Sequence, residues 1–198
     1  MAILAMPLAL AAGSMLMGCS GMRVEEFAGS EPRFRLEEYF DGRTRAWGLF
    51  QDRFGQVKRQ FVVDIEGRVE DDTLILIEDF RYADGETEQR IWRIRRAGEH
   101  RYVGTAEGDA PGGVVGQATG AAYGNAFNWT YTYDLPVGGR TVRVTFDDWM
   151  FLQPGGVVIN RASVTKLGFE LGEAIIFFRQ LGEDTDAPAE TQEAVPAH

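Results

Sequence analysis

From residue 45 to residue 179 apolar and polar positions alternate in short runs broken by turn formers. The runs predict strands over 45–51, 56–66, 73–81, 87–97, 100–107, 117–135 (bent), 140–151, 157–165 and 169–179. The separators are Asp52 to Gly55, Asp84-Gly85, Gly98, Gly138-Gly139, Pro154-Gly155 and Gly168. No helical period is long enough for a βαβ unit. Regular short strands with hairpin signals predict an all-β fold, an antiparallel meander closing into a barrel or sandwich. Ahead of the strands, Ser30 and Pro32 are helix-start residues, and Phe34, Leu36, Tyr39 and Phe40 offer a short apolar face that Asp41-Gly42 ends. One short N-terminal helix is expected there.

Two-residue loops fix register, because a slip of one residue turns every side chain to the other face. With Asp84-Gly85 as such a loop, Ile75 faces Ile94, Ile77 faces Trp92 and Asp79 faces Arg90. With Gly138-Gly139 as another, Leu135 faces Val142, Tyr133 faces Val144, Tyr131 faces Phe146, Trp129 faces Asp148 and Phe127 faces Met150. A turn at 153–156 places Asp148 opposite Arg161 and Trp149 opposite Asn160.

The long run at 117–135 has two kinds of position. Odd ones read Tyr123, Asn125, Phe127, Trp129, Tyr131, Tyr133; even ones, from Gly116, read Gly, Ala, Gly, Ala, Gly, Ala. Glycine in strands marks close approach of another backbone or a ligand. A bent wall with an outer element resting on the bare Gly/Ala face explains this pattern.

Composition narrows the functions. The chain has 198 residues, 44% of them hydrophobic, which is ample for one core. A net charge of −10 argues against a nucleic-acid footprint. A single cysteine excludes an internal disulfide or a thiolate metal cluster, and two histidines leave little for a metal site or a triad. No metal and no cofactor are expected. The Gly-rich run 108–124 fits neither a P-loop nor a dinucleotide fingerprint. A paired-carboxylate site drawn from Glu78, Asp79, Asp147 or Asp148 is a weak signal, so an enzymatic role is left open.

Residues 1–18 read as a signal peptide: an apolar run too short to span a bilayer, ending in Leu16-Met17-Gly18-Cys19. That ending resembles a bacterial lipobox, which makes Cys19 the lipidated residue. Several acyl chains on one residue hold a protein to a bilayer stably. Ser20 after the cysteine favours the outer membrane by the usual sorting rule. Residues 19–33 read as a polar, lipidated tether, 34–181 as the barrel, and 182–198 as an acidic, disordered tail.

Asp148 shares a face with Val142, Val144, Phe146 and Met150, and a buried lone carboxylate is costly unless paired or protonated. Arg161, with the Trp129 indole, is its expected partner, and Asp79–Arg90 beside Trp92 repeats the theme. A structural ion pair that fixes register explains the arrangement. So does a polar floor that orients a ligand head group in an apolar cavity.

Ala46-Trp47-Gly48, Glu78-Asp79-Phe80-x-Tyr82-x-Asp84-Gly85, Arg90-x-Trp92, Gly124-Asn125-Ala126-x-x-Trp129-x-Tyr131 and Phe146-Asp147-Asp148-Trp149-Met150 form a further pattern, followed by Asn160-Arg161 and Lys166-x-Gly168. Together they resemble the proteobacterial lipoprotein family catalogued as domain of unknown function 3833, over roughly 34–179. The chain departs from that family at 107–113, where a shorter, more acidic connection is expected. The resemblance implies a lipocalin-like barrel behind a lipobox. Genes of the family often lie near those for cyclopropane-type fatty-acid modification, which implies a lipid ligand. No catalytic residue follows from it.

The expected function is an outer-membrane-anchored periplasmic lipoprotein that binds or shields a fatty acyl chain or modified lipid. Trp92, Asn125, Phe127, Trp129, Tyr131 and Phe146 would line the cavity, and Arg90, Asp148 and Arg161 would meet the polar end. The alternative is a non-catalytic envelope scaffold that docks a protein partner through an outer Gly/Ala face.

Overall fold

The computed structural model describes residues 21–109 and 112–182; the leader at 1–18, Cys19 and the tail beyond 182 lie outside the described residues. Ten antiparallel strands follow one another: β1 (Gly42–Asp52), β2 (Val57–Glu70), β3 (Thr73–Tyr82), β4 (Thr87–Arg96), β5 (Arg101–Gly108), β6 (Gly113–Tyr123), β7 (Ala126–Val137), β8 (Arg140–Leu152), β9 (Val157–Lys166) and β10 (Phe169–Gln180). Each pairs with the next, and β1 pairs with β10, with Ala46 opposite Phe178, so the sheet closes. Closure removes the exposed strand edges that an open meander would leave.

The fold class is as expected, with one strand more. The run 117–135 is not a single bent strand. It reverses at Gly124-Asn125, where Tyr123 pairs with Ala126. Gly124 has φ +52°, as the first central residue of a II′ turn requires. The reversal changes parity. The even, small positions of β6 and the odd, aromatic positions of β7 therefore share the inner face, with Gly120 opposite Trp129 and Ala122 opposite Phe127.

The Gly/Ala face is thus not an outer docking face. Ala118 and Ala122 are buried, and a Cβ on Gly120 would lie 2.6 Å from the Trp129 ring. Small residues stand under large rings so that the wall holds Trp129 without a clash.

Strand direction gives the barrel two different ends. Residues before β1 cap the end that carries the turns at 71–72 and 124–125. A 3₁₀ turn, Val24–Phe27, lies against β6 and β7, and Phe27 packs on the outward rings of Trp149 and Phe151. Within the segment 19–33, expected as a polar tether, Val24–Phe27 packs on the barrel. A single helical turn, α1 (Leu36–Tyr39), follows where a short helix is expected.

Phe34, Leu36, Tyr39 and Phe40 of this segment are each at most 5% exposed and join the core. Phe34 N–H donates to Gly124 O at 2.7 Å, Tyr39 Oη donates to Gly156 O at 3.0 Å, and Gln180 Nε2 donates to Tyr39 O at 2.7 Å. Gly67 gives the plug its seat: a Cβ there would fall 1.6 Å from Phe40 O. The opposite end, with the β1–β2, β3–β4, β5–β6, β7–β8 and β9–β10 connections, has no such cap among the described residues.

Candidate functional site: the barrel interior

Loop length decides which side chains reach the interior. Val137 pairs with Arg140, and Gly138 and Gly139 both have positive φ, as a I′ turn requires. The β7–β8 register is therefore the expected one throughout, with Tyr131 opposite Phe146 and Trp129 opposite Asp148.

The β3–β4 hairpin differs. Tyr82 N–H donates to Glu86 O, so the loop holds three residues, Ala83 to Gly85, of which Gly85 alone has positive φ. This is a type I turn closed by a glycine bulge. The pairing moves by one residue: Glu78, not Asp79, faces Arg90, and Leu76, not Ile77, faces Trp92. Asp79 points outward and accepts from Gln89 Nε2 at 2.8 Å.

The β8–β9 hairpin also has a three-residue loop, with Gln153 N–H donating to Val157 O. Asp148 therefore faces Ala162, and Arg161 faces Trp149 on the outer surface. Arg161 pairs there with Glu173, so it is not the counter-ion of Asp148 and is not a cavity residue. Asn125 is also outside the cavity. It sits in the β6–β7 turn, where its Nδ2 donates to Leu152 O at 3.1 Å.

The other expected residues come together. Arg90, Trp92, Phe127, Trp129, Tyr131, Phe146 and Asp148 line one cavity of about 780 Å³. It runs from Leu36 and Phe40 at the plug to Gly85, Glu86, Asp109 and Pro136 at the open end. Ligand sites span roughly 300–1,000 Å³, and this volume lies within that range. Tyr131 stacks on Phe146 with ring centroids 5.1 Å apart, and Trp92 meets Trp129 and Tyr131 edge-on at 5.8 and 5.3 Å.

Inside this aromatic wall stands one polar cluster. Arg90 donates to Glu88 Oε1 at 2.8 Å and lies 4.0 Å from Glu78 Oε2. Tyr82 Oη donates to the other Glu88 oxygen at 2.8 Å, and the Arg90 guanidinium lies 4.9 Å from the centre of the Phe80 ring. All three charged side chains are at most 16% exposed. Burial, partly offset by Arg90, pushes the Glu78 carboxyl up to about 7. The guanidinium is held charged by Glu78, Tyr133 and Glu88 despite its burial.

Asp148 has no such close cation. Burial, then Asp147, raise its carboxyl to about 8; Arg90 and the Tyr131 hydroxyl pull the other way. Its Oδ1 is buried without a hydrogen-bond partner. Asn160, 1% exposed and also lining the cavity, has both amide atoms unpartnered. The arrangement offers a greasy chamber with a fixed cation and a few unspent hydrogen-bonding groups.

Sequence reasoning missed Glu78 as the residue opposite Arg90, and it missed Glu88, Tyr82 and Asn160. The alternation Glu88-x-Arg90-x-Trp92-x-Ile94 was a usable signal, since these residues share one strand face. His100 stacks on Tyr123 near the plugged end, away from both carboxyls.

No curated protein matches the chain. A family model described as a protein of unknown function (DUF3833) matches residues 13–180. That is most of the chain, and the protein belongs to this family.

Proposed function

We propose that this protein holds a hydrophobic molecule, a fatty acyl chain or a modified lipid, inside the barrel. The observation that carries the reading is the cavity itself: about 780 Å³, plugged at one end, walled by aromatic rings and furnished with one buried arginine. An acyl chain fills the aromatic section, and its hydrogen-bonding head meets the Arg90–Glu78–Glu88 cluster. Apolar burial supplies the affinity, at about 25 cal/mol per Å² removed from water, less the cost of ordering the ligand.

On the same reading the chain is a lipoprotein anchored through Cys19 in the outer membrane and facing the periplasm. The Leu16 to Cys19 sequence supports this placement. The test is titration with a fluorescent fatty acid. Saturable uptake at one molecule per barrel, competed by unlabelled palmitate, is the expected outcome. Linear, unsaturable partition by a folded protein would overturn the reading.

A further inference from the structure

We propose that the open end of the barrel docks on an anionic lipid surface. The three most exposed large apolar residues among those described are Leu167 (90%), Phe54 (74%) and Phe169 (72%). All three stand at this end, on the β1–β2 and β9–β10 hairpins, which are neighbours in the closed sheet. Arg53 N–H donates to Leu171 O at 3.0 Å and ties the two tips together. Val137, 51% exposed, continues the row on the β7–β8 hairpin, and Val57, 50% exposed, flanks Phe54.

The I′ turn between Lys166 and Phe169 accounts for the backbone of Leu167, but no packing within the fold accounts for its side chain. The residue is almost fully exposed and occupies a left-handed conformation, φ +50°. That backbone state is unfavourable for a side-chain-bearing residue, and glycine would avoid the cost. A leucine there points to a partner outside the chain.

Charge selects the partner. The chain carries −10 overall and has only two lysines, and both lie beside these tips: Lys58 after Phe54, where it bridges to Asp52 at 3.0 Å, and Lys166 before Leu167. Arg53 lies 4.7 Å from the centre of the Phe54 ring, and Arg140 follows the Val137 hairpin. The acidic tips, Asp84 with Glu86 and Glu107 with Asp109, lie on the next two hairpins around the mouth, where Arg59 of β2 bridges to Asp84 at 2.9 Å. Apolar prongs flanked by basic side chains suit a bilayer interface. The rings and leucine enter the acyl boundary while the cations stay with anionic head groups. Separate prongs fit a deformable lipid surface better than the flat core of a protein interface.

Docking at this end puts the cavity mouth against the bilayer. It does not depend on what the cavity holds, so the test leaves cavity uptake aside. A full-length Cys19→Ser chain carries a fluorophore at Leu167→Cys, or at Asp72→Cys near the plugged end. Each is mixed with phosphatidylethanolamine–phosphatidylglycerol vesicles containing a doxyl-lipid quencher. The rim label is expected to quench at least threefold more than the Asp72 label, and Phe54→Asp with Phe169→Asp to abolish the difference. Phosphatidylcholine vesicles should weaken binding about fivefold. Quenching at Asp72 equal to or above that at the rim, or none at the rim, overturns the proposal. So does rim-dependent self-association in sedimentation without rim quenching.

Discussion

Glu78 stands directly across β3 and β4 from Arg90, 4.0 Å from its guanidinium, inside a wall that is otherwise apolar and aromatic. Glu88, two residues before Arg90, takes the closer bond at 2.8 Å. One cation therefore serves two buried carboxyls, which makes Arg90 the hinge of the interior's electrostatics. Removing it leaves both carboxyls without a counter-charge. Arg90→Leu is expected to destabilise the barrel by about 3–5 kcal/mol. Adding Glu78→Gln and Glu88→Gln should recover most of that loss in urea unfolding. A loss undiminished in the triple variant would show that Arg90 acts through packing instead.

Stability should also fall as pH rises toward 8. Burial holds Asp148 up to about 8 and Glu78 up to about 7, from ordinary values of 3.8 and 4.5. Between these limits the folded chain keeps protons that the unfolded chain has released. Their contribution is complete below the ordinary values and is lost as pH climbs through the folded ones, by at most about 1.4 kcal/mol per pH unit for each group. Asp148→Asn removes its share. The variant's stability relative to the wild type should rise from about pH 5 to about pH 8.5. Urea midpoints at the two pH values check this, and a constant difference would contradict it.

The plug depends on the bare backbone at Gly67. A Cβ there would overlap Phe40 O, so Gly67→Ala must push residues 34–40 off their seat. A loss of about 3 kcal/mol is expected, at the upper end for overpacking. Gly29→Ala is the control, since a Cβ there meets nothing within 4 Å. It should stay within about 0.5 kcal/mol of the wild type. Thermal melts of the two variants separate these outcomes.

Ala162 faces Asp148 from β9 and lines the cavity. Ala162→Phe places a ring in that space. Fatty-acid affinity should fall at least tenfold while the melting temperature moves by only a few degrees. Unchanged affinity would mean that the ligand binds elsewhere.

Much of the barrel was legible in the sequence, and loop lengths explain what was not. Gly138-Gly139 supplies two consecutive left-handed positions, so a two-residue loop was the natural choice and every β7–β8 pair followed. Asp84-Gly85 looks like the same signal, yet only Gly85 takes positive φ, and Ala83 joins the loop. That one residue brought Glu78 inside and turned Asp79 out. The same slip at Pro154 to Gly156 turned Arg161 out and left Asp148 without its expected partner.

The Gly124 reversal was hidden because aromatic residues recur at odd positions on both sides of it, Tyr123 before and Phe127 to Tyr133 after, with Asn125 the one interruption. Alternation reports which positions share a face within a strand, and it is silent about a turn that exchanges the faces. The plug was visible only as a short apolar helix. Its seat on Gly67 is a contact between distant residues that local patterns do not encode.

The most direct test of the interior as a ligand chamber is a crystal of the protein grown with a terminally brominated palmitate. Anomalous bromine density between the rings of Trp92 and Phe146 or deeper, with the carboxylate near Arg90, is the predicted result. Ordered barrels with no bromine inside them, at a fatty-acid concentration that saturates the solution titration, would contradict it.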